Sequence, residues 1–213
     1  MTYNIANFLM KMLVLLFSLS VHECSHGLAS YLLGDKQAKD DGRISLNPIR
    51  HIDLLGFVFI LVLGFGWAKP VMINPQAYKR PKLGTMISAA AGPVSNFVLA
   101  FLSLLIFMAF NRSEYGNGDS VAVYMITTML TYGVFMNLGL GLFNLIPLPP
   151  LDGSKVFSGF LPNDKYFKFI GTQNIITIIA LVLMISTSAV SYVLTPAING
   201  MIEYFSYICS KIL

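Results

Sequence analysis

The sequence predicts an all-α polytopic membrane protein, with about four core transmembrane helices and a small re-entrant β element near the cytoplasmic side. Three observations carry that class. Only 11% of the 213 residues are charged, against roughly 25% in ordinary soluble chains. Hydrophobic residues make up 55% and the mean hydropathy is +0.69, so ten acids and fourteen bases cannot coat the folded body in water and much of its surface faces lipid. Apolar runs of about 20 residues, long enough to cross a hydrocarbon core as helix, recur between charges and turn formers. A soluble enzyme is excluded. The net charge of +4 is too small and dispersed for nucleic acid. Cys24 and Cys209 stand nearly the whole chain apart, which excludes a disulfide scaffold and the CxxC zinc and redox patterns.

The first span runs from about Phe8 to Leu33; it outlasts a signal-peptide core and has no small-residue cleavage site. The others are expected from about Leu83 to Phe110, Val121 to Ile146 and Ile175 to Leu194. A fifth stretch, Leu54 to Ala68, carries Gly56, Gly64 and Gly66 and covers only about 22 Å as helix, short of a crossing. If it dips in and returns, eleven of the fourteen Lys and Arg share one side, leaving Lys11, Arg112 and Lys211 opposite. That is a positive-inside pattern with both termini outside; a crossing would leave no bias. Pro48, Pro70 and Pro75 break helices between Gly42 and Tyr78, so extended backbone is expected there, in a small β structure against the helices. The loop Asn111 to Ser120 is too short for an inserted domain. The apolar tail beyond Pro196 is expected to lie at the membrane interface. Residues 1–213 are expected to form one integral-membrane unit.

Inside the first span stands His22-Glu23-Cys24-Ser25-His26. Ionisable groups at membrane depth are costly, so they mark function by default. Histidines at i and i+4 share a helix face and can hold one Zn²⁺, with the intervening glutamate near enough to act as base. Cys24, two positions from each histidine, turns to the far side and reads as a packing residue. A catalytic zinc takes a third protein ligand. Ala29 and Leu32 exclude the metzincin extension, Glu114 and Glu203 are poorly placed, and His51 beside Arg50 and Asp53 reads as a hydrogen-bonding surface residue. Asp152 remains, in the proline-rich end of the third span; taken alone, it reads better as an aspartate capping a turn. Phe57, Phe59, Phe65 and Trp67 read as packing and interface anchors.

These stretches together resemble the site-2 protease family of intramembrane zinc metalloproteases. The similarity lies in HECSH at 22–26, GRISLNPIRHIDLLG at 42–56, GWAKPV at 66–71, AAAGPVSN at 89–96 and NLIPLPPLDG at 144–153. It implies His22, His26 and Asp152 as zinc ligands, Glu23 as catalytic acid/base, and Asn144 as a residue that binds substrate or stabilises the transition state. Asn96, in GPVSN, looks like part of a helix-packing motif. The implied activity is cleavage of peptide bonds within transmembrane segments of other membrane proteins, from a multi-pass position in the cell membrane with the site toward the cytoplasm. The partners are then the lipid bilayer and a transmembrane protein substrate. No PDZ-type insertion separates the second and third spans. The rival reading is a zinc transporter or sensor using the same ligands without hydrolysis, which has no need of Glu23; a silent binding scaffold fits the intact HECSH and LDG poorly.

Overall fold

A computed structural model describes residues 2–63, 68–118, 120–162 and 189–213. Seven α-helices are described: α1 (Thr2–Leu32), α2 (Gln37–Asp40), α3 (Leu54–Leu63), α4 (Pro81–Arg112), α5 (Val121–Asn144), α6 (Asp152–Ser158) and α7 (Ala189–Ile212). Among the described residues, three helices are long and apolar enough to cross a membrane: Ile5–Leu32 within α1, α4 and α5. They match the first three expected spans to within a few residues at most ends. The fourth, 175–194, lies mostly outside the described residues, as do Phe65 and Trp67.

The three long helices pack on one another, and their faces are sorted in the sense opposite to a soluble bundle. On α4 the buried positions Ser88, Gly92, Asn96, Ala100 and Leu104 recur every fourth residue, while the exposed Val94, Val98, Leu102 and Ile106 run two residues out of phase on the opposite side. On α1, Ser18, Ser20, His22, His26 and Ser30 are buried and Leu9, Leu13 and Phe17 exposed. Polar side chains turned inward and aliphatic ones outward are what a lipid solvent selects. Hydroxyls that cannot reach another helix return to their own carbonyls four residues back, as Ser20 does to Leu16 at 2.6 Å and Ser25 to Val21 at 2.7 Å.

The chain between α2 and α4 follows α1 down and then back. Ile44 and Val71 both face Gly27. Further along, Pro48, His51 and Ile52 meet Leu16, Leu19 and Ser20, more than a turn nearer the α1 N-terminus. Ala68 lies at that same level; then Val71 reaches Glu23 and Tyr78 reaches Ser30. The two arms are joined by an antiparallel bridge, Ile52 to Ala68, and by Lys69 N–H donating to the His51 carbonyl at 2.8 Å. The excursion thus returns to the level of α1 at which it began.

Its interior corrects the expectation of extended backbone throughout. Leu54–Leu63 is helix, and no strand occurs among the described residues. The cause is local: ten apolar residues close their own backbone bonds as helix, the cheapest arrangement where water is scarce. Asp53 starts the helix by accepting from Gly56 N–H at 2.8 Å, an N-cap that the glycine-punctuated sequence concealed.

The tail also departs from its expected surface position. In α7, Ile198, Met201, Ile202, Phe205 and Cys209 form one helical stripe, packed on Ala100 and Leu104 of α4 and Val134 and Leu138 of α5. The rings of Phe101 and Phe205 meet edge to face, centroids 5.3 Å apart. Periodicity, not apolar length, decided its place.

A buried knot ties the returning arm to the end of α1. Asp35 accepts from Ser30 Oγ at 2.9 Å, from Asn74 N–H at 2.7 Å and from Gln37 N–H at 3.0 Å, while Ser30 Oγ shares a 2.7 Å bond with Tyr78 Oη. Burial alone would raise this carboxyl, but the Asn74 and Gln37 N–H groups and the Ser30 hydroxyl outweigh it and hold it below its ordinary value. A group with a depressed folded-state pKa adds stability above its unfolded value of 3.8, and that stability is lost as pH falls through the folded value. Asp35→Asn is therefore expected to destabilise the detergent-solubilised protein by about 1–3 kcal/mol at neutral pH. The gap in melting temperature should close on acidification below the ordinary carboxylate range; a gap independent of pH would refute the assignment.

Candidate metal centre

α1 brings His22 and His26 to one face, one turn apart, with ring centroids 4.6 Å apart and ring planes at 86°. Asp152 arrives from a different part of the chain. α5 ends at Asn144, and a proline-rich turn sets down α6 with Asp152 as its first residue, where a carboxylate suits the helix N-terminus. Gly153 permits that approach: a Cβ there would sit 2.2 Å from the Leu145 carbonyl oxygen. Ser154 Oγ donates to the Leu151 carbonyl at 2.6 Å and steadies the first turn.

The three groups converge as a nearly equilateral triangle. His22 Nε2 lies 3.1 Å from His26 Nε2 and 3.2 Å from Asp152 Oδ2, and His26 Nε2 lies 3.1 Å from the same oxygen. All three residues are buried. Ligands about 2.0 Å from a common tetrahedral centre would stand about 3.3 Å apart, so the spacing fits one zinc ion. The donor chemistry fits as well. His26 Nδ1 faces the Ser88 carbonyl at 2.7 Å, and His22 Nδ1 faces the side-chain oxygen of Asn96 at 2.5 Å. Each Nδ1 therefore carries the hydrogen, and each neutral ring presents its Nε2 lone pair to the carboxylate. Three converging lone pairs repel one another unless positive charge sits among them.

Space for the centre is secured on α4. A Cβ at Gly92 would lie 2.4 Å from His26 Nε2 and 2.6 Å from His22 Nε2. Beside it, Pro93 removes the N–H that would close on the Ala89 carbonyl, so the helix ladder is open one residue from the carbonyl that receives His26.

Glu23 stands next to this triangle without joining it: its Oε2 accepts from Val71 N–H at 2.9 Å, which fixes the carboxylate toward the returning arm. Asn144, the last residue of α5, is half-buried, and its amide donates to the Leu140 carbonyl of its own helix at 3.0 Å. It makes no described contact with the triangle. Cys24 is half-buried and is not part of this potential metal-binding group, as its helical phase implies. His51 differs from expectation. It is 2% exposed, its Nε2 donates to the Ser45 carbonyl at 2.7 Å, and it lines a cavity of about 10 Å³ with Ser20, Asp53 and Phe57. The polar neighbours Arg50 and Asp53 hid a residue that the re-entrant path buries. Gly92 and Asn96 had read as helix packing alone, and Asn137 carried no signal; only the pairing of α1, α4 and α5 reveals them.

Long helices with apolar outer faces around a buried two-histidine, one-carboxylate cluster, with a glutamate next to the first histidine, define a membrane-embedded metalloenzyme. Residues 113–187 match peptidase family M50, a stretch that contains Asp152 but not HECSH. "Putative zinc metalloprotease YwhC" of Bacillus subtilis is 37% identical over 190 residues, covering 88% of this chain and 85% of that protein. "Putative zinc metalloprotease MJ0611" of Methanocaldococcus jannaschii is 33% identical over 104 residues, 48% of this chain and 49% of the relative. "Putative zinc metalloprotease Rip2" of Mycolicibacterium smegmatis is 28% identical over 145 residues, 65% of this chain and 52% of the relative. No solved structure matches the chain. The chain belongs to peptidase family M50, the site-2 protease family of intramembrane zinc metalloproteases.

Proposed function

We propose that this protease hydrolyses peptide bonds within transmembrane segments of other membrane proteins, with His22, His26 and Asp152 holding zinc, Glu23 as acid/base and Asn144 as the group that meets substrate. The observation that carries it is the convergence of His22 Nε2, His26 Nε2 and Asp152 Oδ2 at 3.1–3.2 Å beside a glutamate that ligation leaves free. A zinc ion bound there supplies Lewis acidity and lowers the pKa of water to about 7. Glu23, aimed from α1 and held by Val71 N–H, takes the proton of the attacking water and delivers it to the leaving amide nitrogen. Asn144 turns its amide from the Leu140 carbonyl to the oxyanion that develops on the scissile carbonyl. A transmembrane substrate must unwind locally first, because its own helix shields the bond.

The same reading takes residues 1–213 as one membrane unit, with 175–194 as a further span and a re-entrant segment over about 54–68 whose two arms pair at Ile52 and Ala68. The eleven bases on one side orient the N-terminus outside and the site toward the cytoplasm. A metal-handling role without hydrolysis gives Glu23 no task.

The test uses purified full-length protein in liposomes with a transmembrane test substrate. Chelation is expected to abolish cleavage and equimolar zinc to restore it, while His22→Ala and Asp152→Ala hold no zinc. Asn144→Ala is expected to keep zinc and lose about 100-fold or more in turnover. Cleavage that survives chelation, or zinc that survives the ligand substitutions, would overturn the reading.

A further inference from the structure

The hydrogen on His22 is set by a chain of bonds whose direction can be read from its far end. Asn137 Nδ2 donates to the Gly133 carbonyl within α5 at 2.8 Å, and a backbone carbonyl can only accept. The Asn137 side-chain oxygen is therefore the atom turned toward α4, where it accepts from Asn96 Nδ2 at 2.8 Å. That in turn leaves Asn96 Oδ1 facing His22 Nδ1 at 2.5 Å, so the ring hydrogen must be on Nδ1 and the Nε2 lone pair points to His26 and Asp152. Asn96 is fully buried and Asn137 is 2% exposed, so water does not compete for these bonds, and each amide has its orientation imposed by the next. His26 reaches the same tautomer in one step, from the Ser88 carbonyl at 2.7 Å. His22 needs two amides because its Nδ1 looks across α4 toward α5.

We propose that Asn137, acting through Asn96, is a positioning residue of the metal centre: the carbonyl of Gly133 on α5 fixes the tautomer and ring orientation of His22 on α1. The proposal rests on His22 as a zinc ligand. Partners that orient a ligating imidazole are typically worth 10- to 100-fold in metal affinity. A side chain that merely packed α4 on α5 would affect folding without that specific effect.

The experiment measures zinc affinity of the full-length protein in detergent by competition with a chromophoric chelator, alongside thermal unfolding of the metal-free form. Asn137→Leu and Asn96→Leu are each expected to weaken zinc binding 10- to 100-fold, and the double variant to be no weaker than Asn96→Leu alone, because Asn137 acts only through Asn96. Asn137→Asp has the same shape. Its carboxyl, protonated at this depth, keeps the acceptor toward Asn96 and the donor toward Gly133, and it is expected to bind zinc within about threefold of the wild type. The inference is overturned if Asn137→Leu binds zinc as the wild type does, if the two leucine losses multiply, or if Asn137→Asp is as weak as Asn137→Leu. It is likewise overturned if every loss of affinity is matched by a metal-free protein that no longer folds. His22→Ala separates the two levels: zinc retained by that variant removes the ligand assignment itself, whereas zinc lost there but kept in Asn137→Leu removes only the role of Asn137.

Discussion

Glu23→Gln is expected to bind zinc like the wild type and to lose cleavage of a transmembrane test substrate by about 1000-fold. General acid/base groups contribute roughly 10²–10⁴-fold, and Glu23 is the only acid within the HECSH stretch. The amide is the same size as the carboxylate, and its oxygen can still accept from Val71 N–H, the bond that aims the residue at 2.9 Å. Position is thus preserved while basicity is removed. Metal content by mass spectrometry and cleavage by gel shift, measured on one preparation in liposomes, decide the matter. A variant with full zinc and full cleavage would show that another group moves the proton.

Gly92→Ala is expected to be as severe by a different route. The added methyl would stand 2.4 Å from one Nε2 and 2.6 Å from the other, well inside contact distance. Neither ring can swing aside cheaply, because Asn96 and Ser88 hold their Nδ1 atoms. Zinc affinity is expected to fall about 100-fold, the upper end of the scale for disrupting the partners that orient a ligand, and cleavage with it. Gly139→Ala is the control: nothing lies within 4 Å of a Cβ there, and alanine in a helix interior should stabilise by up to about 1 kcal/mol. Zinc binding retained in Gly92→Ala would mean that the imidazoles have more freedom than their hydrogen bonds imply.

The first three long helices and the pairing of His22 with His26 could be read from the chain because both rest on local rules. Hydrophobic length marks a helix in lipid, and i,i+4 spacing puts His22 and His26 on one face whatever surrounds them. Asp152 is different. Nothing in its own neighbourhood separates a ligand from a cap; elimination of the other candidates left it standing, and the resemblance of the whole NLIPLPPLDG stretch to a known family implied its role. Asn96 and Asn137 were beyond reach for a physical reason: an amide in an apolar helix can turn back on its own carbonyls, as Asn144 does, or bridge to a neighbour. The choice depends on helix rotation and pairing, which no single segment encodes. The re-entrant region misled in the same way. Its prolines and glycines announced irregular backbone, but Leu54–Leu63 is helix, started by the Asp53 cap. The α7 stripe of Ile198, Ile202, Phe205 and Cys209 was present in the sequence as a helical period and was masked by the attention that short length draws.

The three converging residues are far apart along the chain: Asp152 lies 130 residues from His22 and 126 from His26. An ion shared among them would be a cross-link that closes a ring of about 130 residues, pinning the end of the α5 turn to α1. In a bilayer the unpinned state keeps its inserted helices, so the entropy removed belongs less to a random coil than to the sliding and rotation of α6 and its turn against α1 and α4. With an ion bound, the centre would in this respect also be a clasp, and the geometry that prepares the chemistry would set the register of the bundle around it.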